Sequence, residues 1–446
     1  MKKNISILIS TAFQDAGDAT RAIEIAKALK KYQPENLNVK ITFISHGSKF
    51  EKKVLDLGFE IYHTKPKLPG VGLYQDLGMT ITNLIGTEKL AEDMIRGELE
   101  AYKKIKPDII LHGFWPMASL ARRMADRDIP GICFVPLPLI ANFFDVIPDV
   151  PEQLKIFAIF PKSIRLWMFR RIPNFIKNRV SILRQNNIRH AAYKLGWKGE
   201  KLINIFDLLK SDLTIVNDLP DYYDNSKFPP NVVFTGPLFF IPDSDEIIDK
   251  EIMKVFDPKI SRPKIFCTLS SSGSEEMLKE VIRVFTYGKG LEWNAIILSP
   301  HFPIEKARKL LGNNESVYIT DKFIPAIKVN AMADITVCHG GQGTIQTAIH
   351  AGNPIVGVAA QQEQFINLSN IESKGAGIRI SRSKWNAENI QKSISKILSD
   401  KNYKESMLKL RDSIISIDGA KNAATTILKK IKEILNEKYD GKTKIN

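Results

Sequence analysis

At 446 residues the chain is longer than the range in which one hydrophobic core usually keeps growing, so two domains are expected. Hydrophobic residues at 44% and charged residues at 25% are ordinary for a globular protein and exclude wholesale disorder or a fibrous repeat. Cys133, Cys267 and Cys338 lie singly in apolar runs, which excludes a disulfide framework or zinc cage and fits a reducing, cytoplasmic setting, while the net charge of +15 suits phosphate, anionic lipid or nucleic acid without choosing among them.

Ile5–Ser10 is too short for a signal sequence and reads as a buried first strand. A helix over Asp18–Leu29 follows, then strand Val39–Ser45, helix Lys49–Leu57, strand Ile109–His112, helix Met117–Arg127 and strand Gly131–Val135. Strands alternating with helices predict an α/β fold with a parallel sheet. Between Lys155 and His190 stand nine Lys or Arg and no acid, interleaved with Phe157, Phe160, Trp167, Phe169 and Phe175; the stretch reads either as a peripheral membrane-surface element or as a solvated helical face. No run of 18 apolar residues is free of charge, so no spanning helix is expected.

The Pro- and Asp-rich stretch from Gly236 to Pro263 reads as a linker with one helical turn near Ile247–Phe256. Strand-like runs then resume at Ile265–Leu269, Ala295–Leu298, Val317–Ile319, Ile335–His339, Pro354–Val358 and Gly377–Ile380. A last helix covers Gly419–Glu437, before a polar tail. The expected division is 1–240, a linker at 241–262, a second domain at 263–418, and a helix with tail at 419–446.

Ligands of open parallel sheets bind beyond the carboxyl ends of the strands. At that edge His339-Gly340-Gly341-Gln342-Gly343-Thr344 joins a strand to a helix, where glycines permit close approach and helix-start N–H groups favour a diphosphate. Gln361 to Asn367 follows the next strand and offers a carboxylate and amides to sugar hydroxyls, or a plain helix cap. Ser270 to Ser274 suits phosphate binding or N-capping equally. No cluster with metal-ligand spacing is evident, and no cofactor beyond a nucleotide-sugar co-substrate is implied.

The series Phe323-Ile324-Pro325, His339 to Thr344, Gly352-Asn353-Pro354 and Glu363-Gln364 resembles the donor motif of family 1 glycosyltransferases, in spacing as well as identity. Thr235-Gly236-Pro237-Leu238 and Gly17-Asp18 extend the likeness, the latter resembling the sterol and antibiotic glycosyltransferases. The resemblance implies a GT-B fold of two facing Rossmann-like domains, donor in the C-terminal one and acceptor mostly in the N-terminal one. It places the base near Phe323 and Ile324. It also assigns the diphosphate to Ser271, His339, Gly341, Gly343 and Thr344, and the sugar, probed first as part of a UDP-sugar, to Glu363 and Gln364. Asp18 becomes the base of an inverting transfer to an acceptor hydroxyl, with a lipid or other apolar molecule as the expected acceptor and His112 as a partner that could tune it. Asp18 as a helix cap is compatible with that role. Thr347 stands where many members carry a ribose-binding glutamate, Ala359 replaces a common proline, and Ser270 a glycine.

A nucleotide-sugar 2-epimerase shares this architecture and is the first rival; a non-enzymatic membrane-surface binding protein is the second. No nucleic-acid-binding signature is present. A dinucleotide oxidoreductase is disfavoured because Thr11 to Gly17 lacks G-x-G-x-x-G.

Overall fold

The computed structural model describes residues 2–443 except 81, 138, 141–142, 151–156, 158, 180, 239–247, 270–273, 300–301 and 323. The backbone forms two compact units. One gathers Met1–Val146, Arg170–Leu238 and Asp418–Asn446, and the other Ile147–Phe169 and Phe239–Ile417.

The first unit is built on β1 (Lys3–Ser10), β2 (Leu37–Ser45), β3 (Glu60–His63), β4 (Ile109–His112), β5 (Gly131–Val135), β6 (Leu213–Val216) and β7 (Val232–Phe234). They pair in parallel in the order β3-β2-β1-β4-β5-β6-β7. Strand alternation places Ile5, Ile7 and Ile9 beside Ile109 and Leu111 on one face, where they pack with Ala19, Ala22, Ile23 and Ala26 of the helix Ala16–Tyr32. The C-terminal helix, Gly419–Thr443, adds Ala423, Ala424, Ile427 and Ile431 to this core. Its approach is close: a Cβ on Gly419 would fall 2.1 Å from the Pro237 carbonyl oxygen, and Asn422 donates to Thr235 O at 3.2 Å. That contact accounts for small residues at Gly236 and Gly419.

The second unit contains β8 (Lys264–Thr268), β9 (Asn294–Leu298), β10 (Val317–Thr320), β11 (Ile335–Cys338), β12 (Ile355–Gly357) and β13 (Gly377–Arg379). Its parallel order is β10-β9-β8-β11-β12-β13. Residues 147–169, which the sequence groups with the first domain, cluster here because fully buried Asp149 accepts hydrogen bonds from Arg165 and from Arg379 at the end of β13.

Strand order reverses between β1 and β4 in one sheet and between β8 and β11 in the other. At such a point the flanking connections diverge to opposite faces and leave a crevice beyond the strand ends. Asp18 follows β1, the serine loop follows β8, and His339 follows β11. Topology therefore gathers the sequence motifs at the crevice of each unit.

Candidate functional site

In the second unit the chain leaves β11 at His339 and turns through Gly340, whose φ of 86° lies in the left-handed region. A Cβ there would sit 2.6 Å from Leu368 Cγ and 2.8 Å from the Gln364 carbonyl oxygen, so backbone and space both demand glycine. Gly341 is the N-cap of the helix Gln342–Ala351 and contributes no side-chain cap. A Cβ on it would strike His339 Nε2 at 2.5 Å, so this glycine makes room for the imidazole. A Cβ on Gly343, in contrast, meets nothing within 4 Å.

The first helical N–H, from Gln342, donates to Glu363 Oε1 at 3.3 Å. The next two, from Gly343 and Thr344, have no hydrogen-bond partner among the described residues. Together they form an open pair of donors at the positive end of a helix dipole. Burial pulls the His339 pKa down to about 4, the Thr268 carbonyl countering only in part, so the ring is neutral at pH 7. The one N–H of the neutral ring is the one the Thr268 carbonyl engages.

Beneath the turn lies a buried polar network. Thr336 Oγ1 donates to Asn330 Oδ1 at 2.6 Å, Asn330 Nδ2 reaches Thr347 Oγ1 at 3.4 Å, and the Thr347 hydroxyl donates to Thr344 O at 2.9 Å. Thr347 is thus occupied in fixing the helix start. Glu363 accepts from Asn367 Nδ2 at 2.9 Å, and the same amide reaches Gly340 O at 3.0 Å, which locks the turn against the helix Gln362–Ser373.

Two sequence assignments change. Gln364 is buried, and its Oε1 accepts the N–H groups of Ala360 and Gln361 at 2.9 and 3.1 Å; it caps its own helix, so that oxygen is committed and cannot serve a sugar. Ile324 is buried among Phe266, Ile296 and Val329, so its side chain is not offered to a nucleotide base. Ser271 and Phe323 lie outside the described residues. Ser274 is an N-cap, accepting from Met277 N–H at 3.3 Å. Within the segment Gln361 to Asn367, which the sequence offers to sugar hydroxyls, Gln362 has its Nε2 buried without a hydrogen-bond partner among the described residues.

In the first unit Asp15, not Asp18, caps the helix Ala16–Tyr32, accepting Asp18 N–H at 3.0 Å. Asp18 is itself buried, ion-paired with Arg21 and bonded by Thr11 Oγ1 at 3.2 Å. Burial, and then the Asp18 charge, raise the Asp15 carboxyl above its ordinary range. An Asp at each of two positions followed by Arg21 was visible in the sequence, but only the helix start shows that these three side chains meet.

The proposed pairing of His112 with Asp18 does not form. His112 pairs in register with Ser10, on the face opposite Ile9 and Leu111 and hence opposite the helix that carries Asp18. Its Nδ1 donates to Gly113 O at 3.0 Å, and its Nε2 accepts from the Ser211 hydroxyl at 2.7 Å. Complete burial lowers its pKa to about 3, so it is a neutral structural histidine. The same face holds another unforeseen group. Glu98, fully buried, accepts from Ser10 Oγ at 2.5 Å and Trp115 Nε1 at 3.0 Å, and burial raises its pKa. It ties the end of β1 to the loop after β4.

Among the described residues no group of three or more His, Cys, Asp or Glu is arranged to hold a metal ion, and no helix is long and apolar enough to cross a membrane.

Each sheet with its crevice has the topology of a Rossmann-like domain, and the paired arrangement along the chain is that of GT-B enzymes. Residues 301–433 match the family model described as erythromycin biosynthesis protein CIII-like, C-terminal domain. A PGL/p-HBAD biosynthesis glycosyltransferase of Mycobacterium tuberculosis is 24% identical over 333 residues, covering 72% of this chain and 69% of that protein. A sterol 3-beta-glucosyltransferase of Vanderwaltozyma polyspora is 28% identical over 178 residues, 40% of this chain and 12% of that one. Among solved structures, the glycotransferase of kitacinnamycin superposes with a TM-score of 0.64 at 18% identity, covering 94% and 98% of the two chains. The calicheamicin glycosyltransferase CalG4 gives 0.64 at 16%, covering 97% and 99%. The fold is GT-B, and the likenesses in sequence support a glycosyltransferase of family 1.

Proposed function

We propose that the protein transfers a hexose, with inversion, from a nucleotide-diphosphate sugar to the hydroxyl of a lipid or other apolar acceptor, with UDP-sugars the first donors to test. The observation that carries this reading is the pair of unpartnered N–H groups at Gly343 and Thr344, beside a glycine with open space over it. As the bond from the anomeric carbon to the diphosphate breaks, negative charge grows on the leaving oxygen. Fixed amide dipoles stabilise that charge without having to reorient. Glu363 with Gln362 supplies polar groups for sugar hydroxyls.

The first unit supplies the base. Arg21 and Thr11 use two of the roughly four lone-pair sites of the Asp18 carboxylate, and a remaining one takes the acceptor proton as the hydroxyl oxygen attacks. Support for an apolar acceptor comes from the relative named as a sterol glucosyltransferase and from the basic stretch 155–190. There Trp167, Phe175 and Ile176 are exposed at 58%, 65% and 50%, between arginines and lysines, which suits peripheral contact with an anionic membrane.

A thermal-shift panel of UDP, dTDP and GDP tests the donor reading, since a ligand that binds only the folded state raises its stability. At least one nucleotide should raise the melting temperature, and its sugar conjugate should be consumed only with an acceptor present. No shift with any of the three would overturn the reading.

A further inference from the structure

Both oxygens of the Asp18 carboxylate are held. Thr11 Oγ1 donates to Oδ2 at 3.2 Å, and Arg21 Nη2 donates to Oδ1. The two donors come from different elements, Thr11 from the turn after β1 and Arg21 from the helix Ala16–Tyr32, one turn beyond Asp18 itself. All three side chains are buried, with Thr11, Asp18 and Arg21 exposed at 4%, 3% and 7%.

The Arg21 guanidinium folds back over the start of its own helix. Its Nη1 and Nη2 lie 3.4 and 3.6 Å from where a Cβ on Gly17 would stand, and Asp15 Oδ2 lies 3.0 Å from the same point. Burial and then the Asp18 charge raise the Asp15 carboxyl, while the Arg21 charge pulls against both, so the guanidinium acts on two carboxylates at the helix start.

Stability alone gives no reason for a cation in this place. Burying an ion pair costs desolvation that the attraction repays only when the geometry is excellent. A positive group over a helix N-terminus also opposes the helix dipole. Orientation is what the arrangement gains. A carboxylate turns about two side-chain torsions, and one donor on each oxygen stops both while leaving lone pairs open in fixed directions. The donor on Oδ1 is charge-assisted and therefore strong. A general base works only with its open lone pair within hydrogen-bond reach of the proton it takes.

We infer that Arg21, acting with Thr11, is a positioning residue that holds the Asp18 carboxylate for proton transfer from the acceptor hydroxyl, a role that rests on the reading of Asp18 as the base.

The test is a double-mutant cycle on the full chain, with UDP-glucose as donor and cholesterol in detergent micelles as the acceptor probe, joined to crystal structures of the wild type and of Arg21→Met. Turnover of Arg21→Met should fall about 10- to 100-fold with both KM values changed by less than about twofold, as a misplaced base predicts. Arg21→Lys keeps the charge without the planar fork and should fall between that variant and the wild type; if Arg21→Met does not fold, Arg21→Lys is read in its place. In Asp18→Asn protein, adding Arg21→Met should cost no further turnover because the group it positions is gone, whereas a merely structural role lowers both backgrounds alike. The crystal structure of the variant should show the Asp18 carboxylate turned from its wild-type direction, and where the wild type does not turn over this acceptor the structures alone decide. Full turnover in Asp18→Asn would overturn the reading of Asp18 as the base and the positioning role with it. Loss of turnover in Asp18→Asn beside full turnover in Arg21→Met, an additive loss in the double variant, or an unmoved carboxylate would overturn the positioning role alone.

Discussion

Two glycines three residues apart should respond to substitution in opposite ways. Gly340 has a φ of 86° and would bring a Cβ to 2.6 Å from Leu368 and 2.8 Å from a backbone oxygen. Gly340→Ala therefore combines left-handed strain of about 1–2 kcal/mol with overpacking of about 1–3 kcal/mol. A loss on the order of 3 kcal/mol lowers the melting temperature of a unit this size by roughly 6–12 °C. Gly343 is exposed, in the first turn of the helix, and a Cβ added there has no atom within 4 Å. In Gly343→Asp the new carboxylate faces the positive helix end and leaves stability unchanged or raises it by about 0.5 kcal/mol. That same charge stands where the diphosphate is proposed to lie, so UDP affinity should fall at least about a hundredfold. Urea denaturation gives the stabilities and calorimetric titration with UDP the affinities. A Gly343→Asp protein that binds UDP like the wild type, or a Gly340→Ala protein of full stability, would refute the reasoning.

Asp18→Asn should lower turnover by about 10²- to 10⁴-fold with donor affinity unchanged, as loss of a general base predicts; full turnover would remove Asp18 from the mechanism. Asp149→Ala leaves Arg165 and Arg379 without their shared buried carboxylate and should cost about 3–5 kcal/mol, read as a lower urea midpoint and faster proteolysis within 147–169. An unchanged midpoint would show that the pair is not structural. His46 and His112 have pKa values lowered by burial to about 4 and about 3, so their contribution is complete above pH 6.5, where both states are neutral. It declines as pH falls toward those values, because only the unfolded chain takes up the protons, by up to about 1.4 kcal/mol per pH unit for each histidine. Glu98, raised by burial, keeps its proton in the folded state above the pH at which the unfolded chain releases it, and so opposes that slope. Glu98→Gln should therefore steepen the loss of stability between pH 6.5 and about 4.5, measured by urea denaturation at several pH values; an unaltered slope would contradict a Glu98 carboxyl raised by burial.

The strands were readable because buried parallel strands are short apolar runs with little else in them. Ile109–His112 and Gly131–Val135 match residue for residue, and most others differ by one or two positions at an end. Elements were missed where the pattern is mixed, and also where an apolar run is very short, as in β6 (LTIV) and β7 (VVF). β3, with the sequence EIYH, is half polar, and the helix Glu88–Ile105 is long, charged and amphipathic, with Gly97 inside it. The glycine turn after His339 was legible because its glycines have local causes, a left-handed φ at Gly340 and a close contact for any Cβ at Gly341. Side-chain direction was not legible. Gln364 and Glu363 are adjacent, yet one turns back to cap its helix while the other crosses to Gln342, a choice made by the helix start and its neighbour. His112 ends its strand at the right edge but on the wrong face, because register with Ser10 fixes which way it points.

The most direct test of the account is a crystal structure with UDP or dTDP bound. The account predicts phosphate oxygens within hydrogen-bond distance of the Gly343 and Thr344 N–H groups, with His339 beside them. A nucleotide whose diphosphate lies elsewhere, with those two amides facing only water or protein, would contradict it.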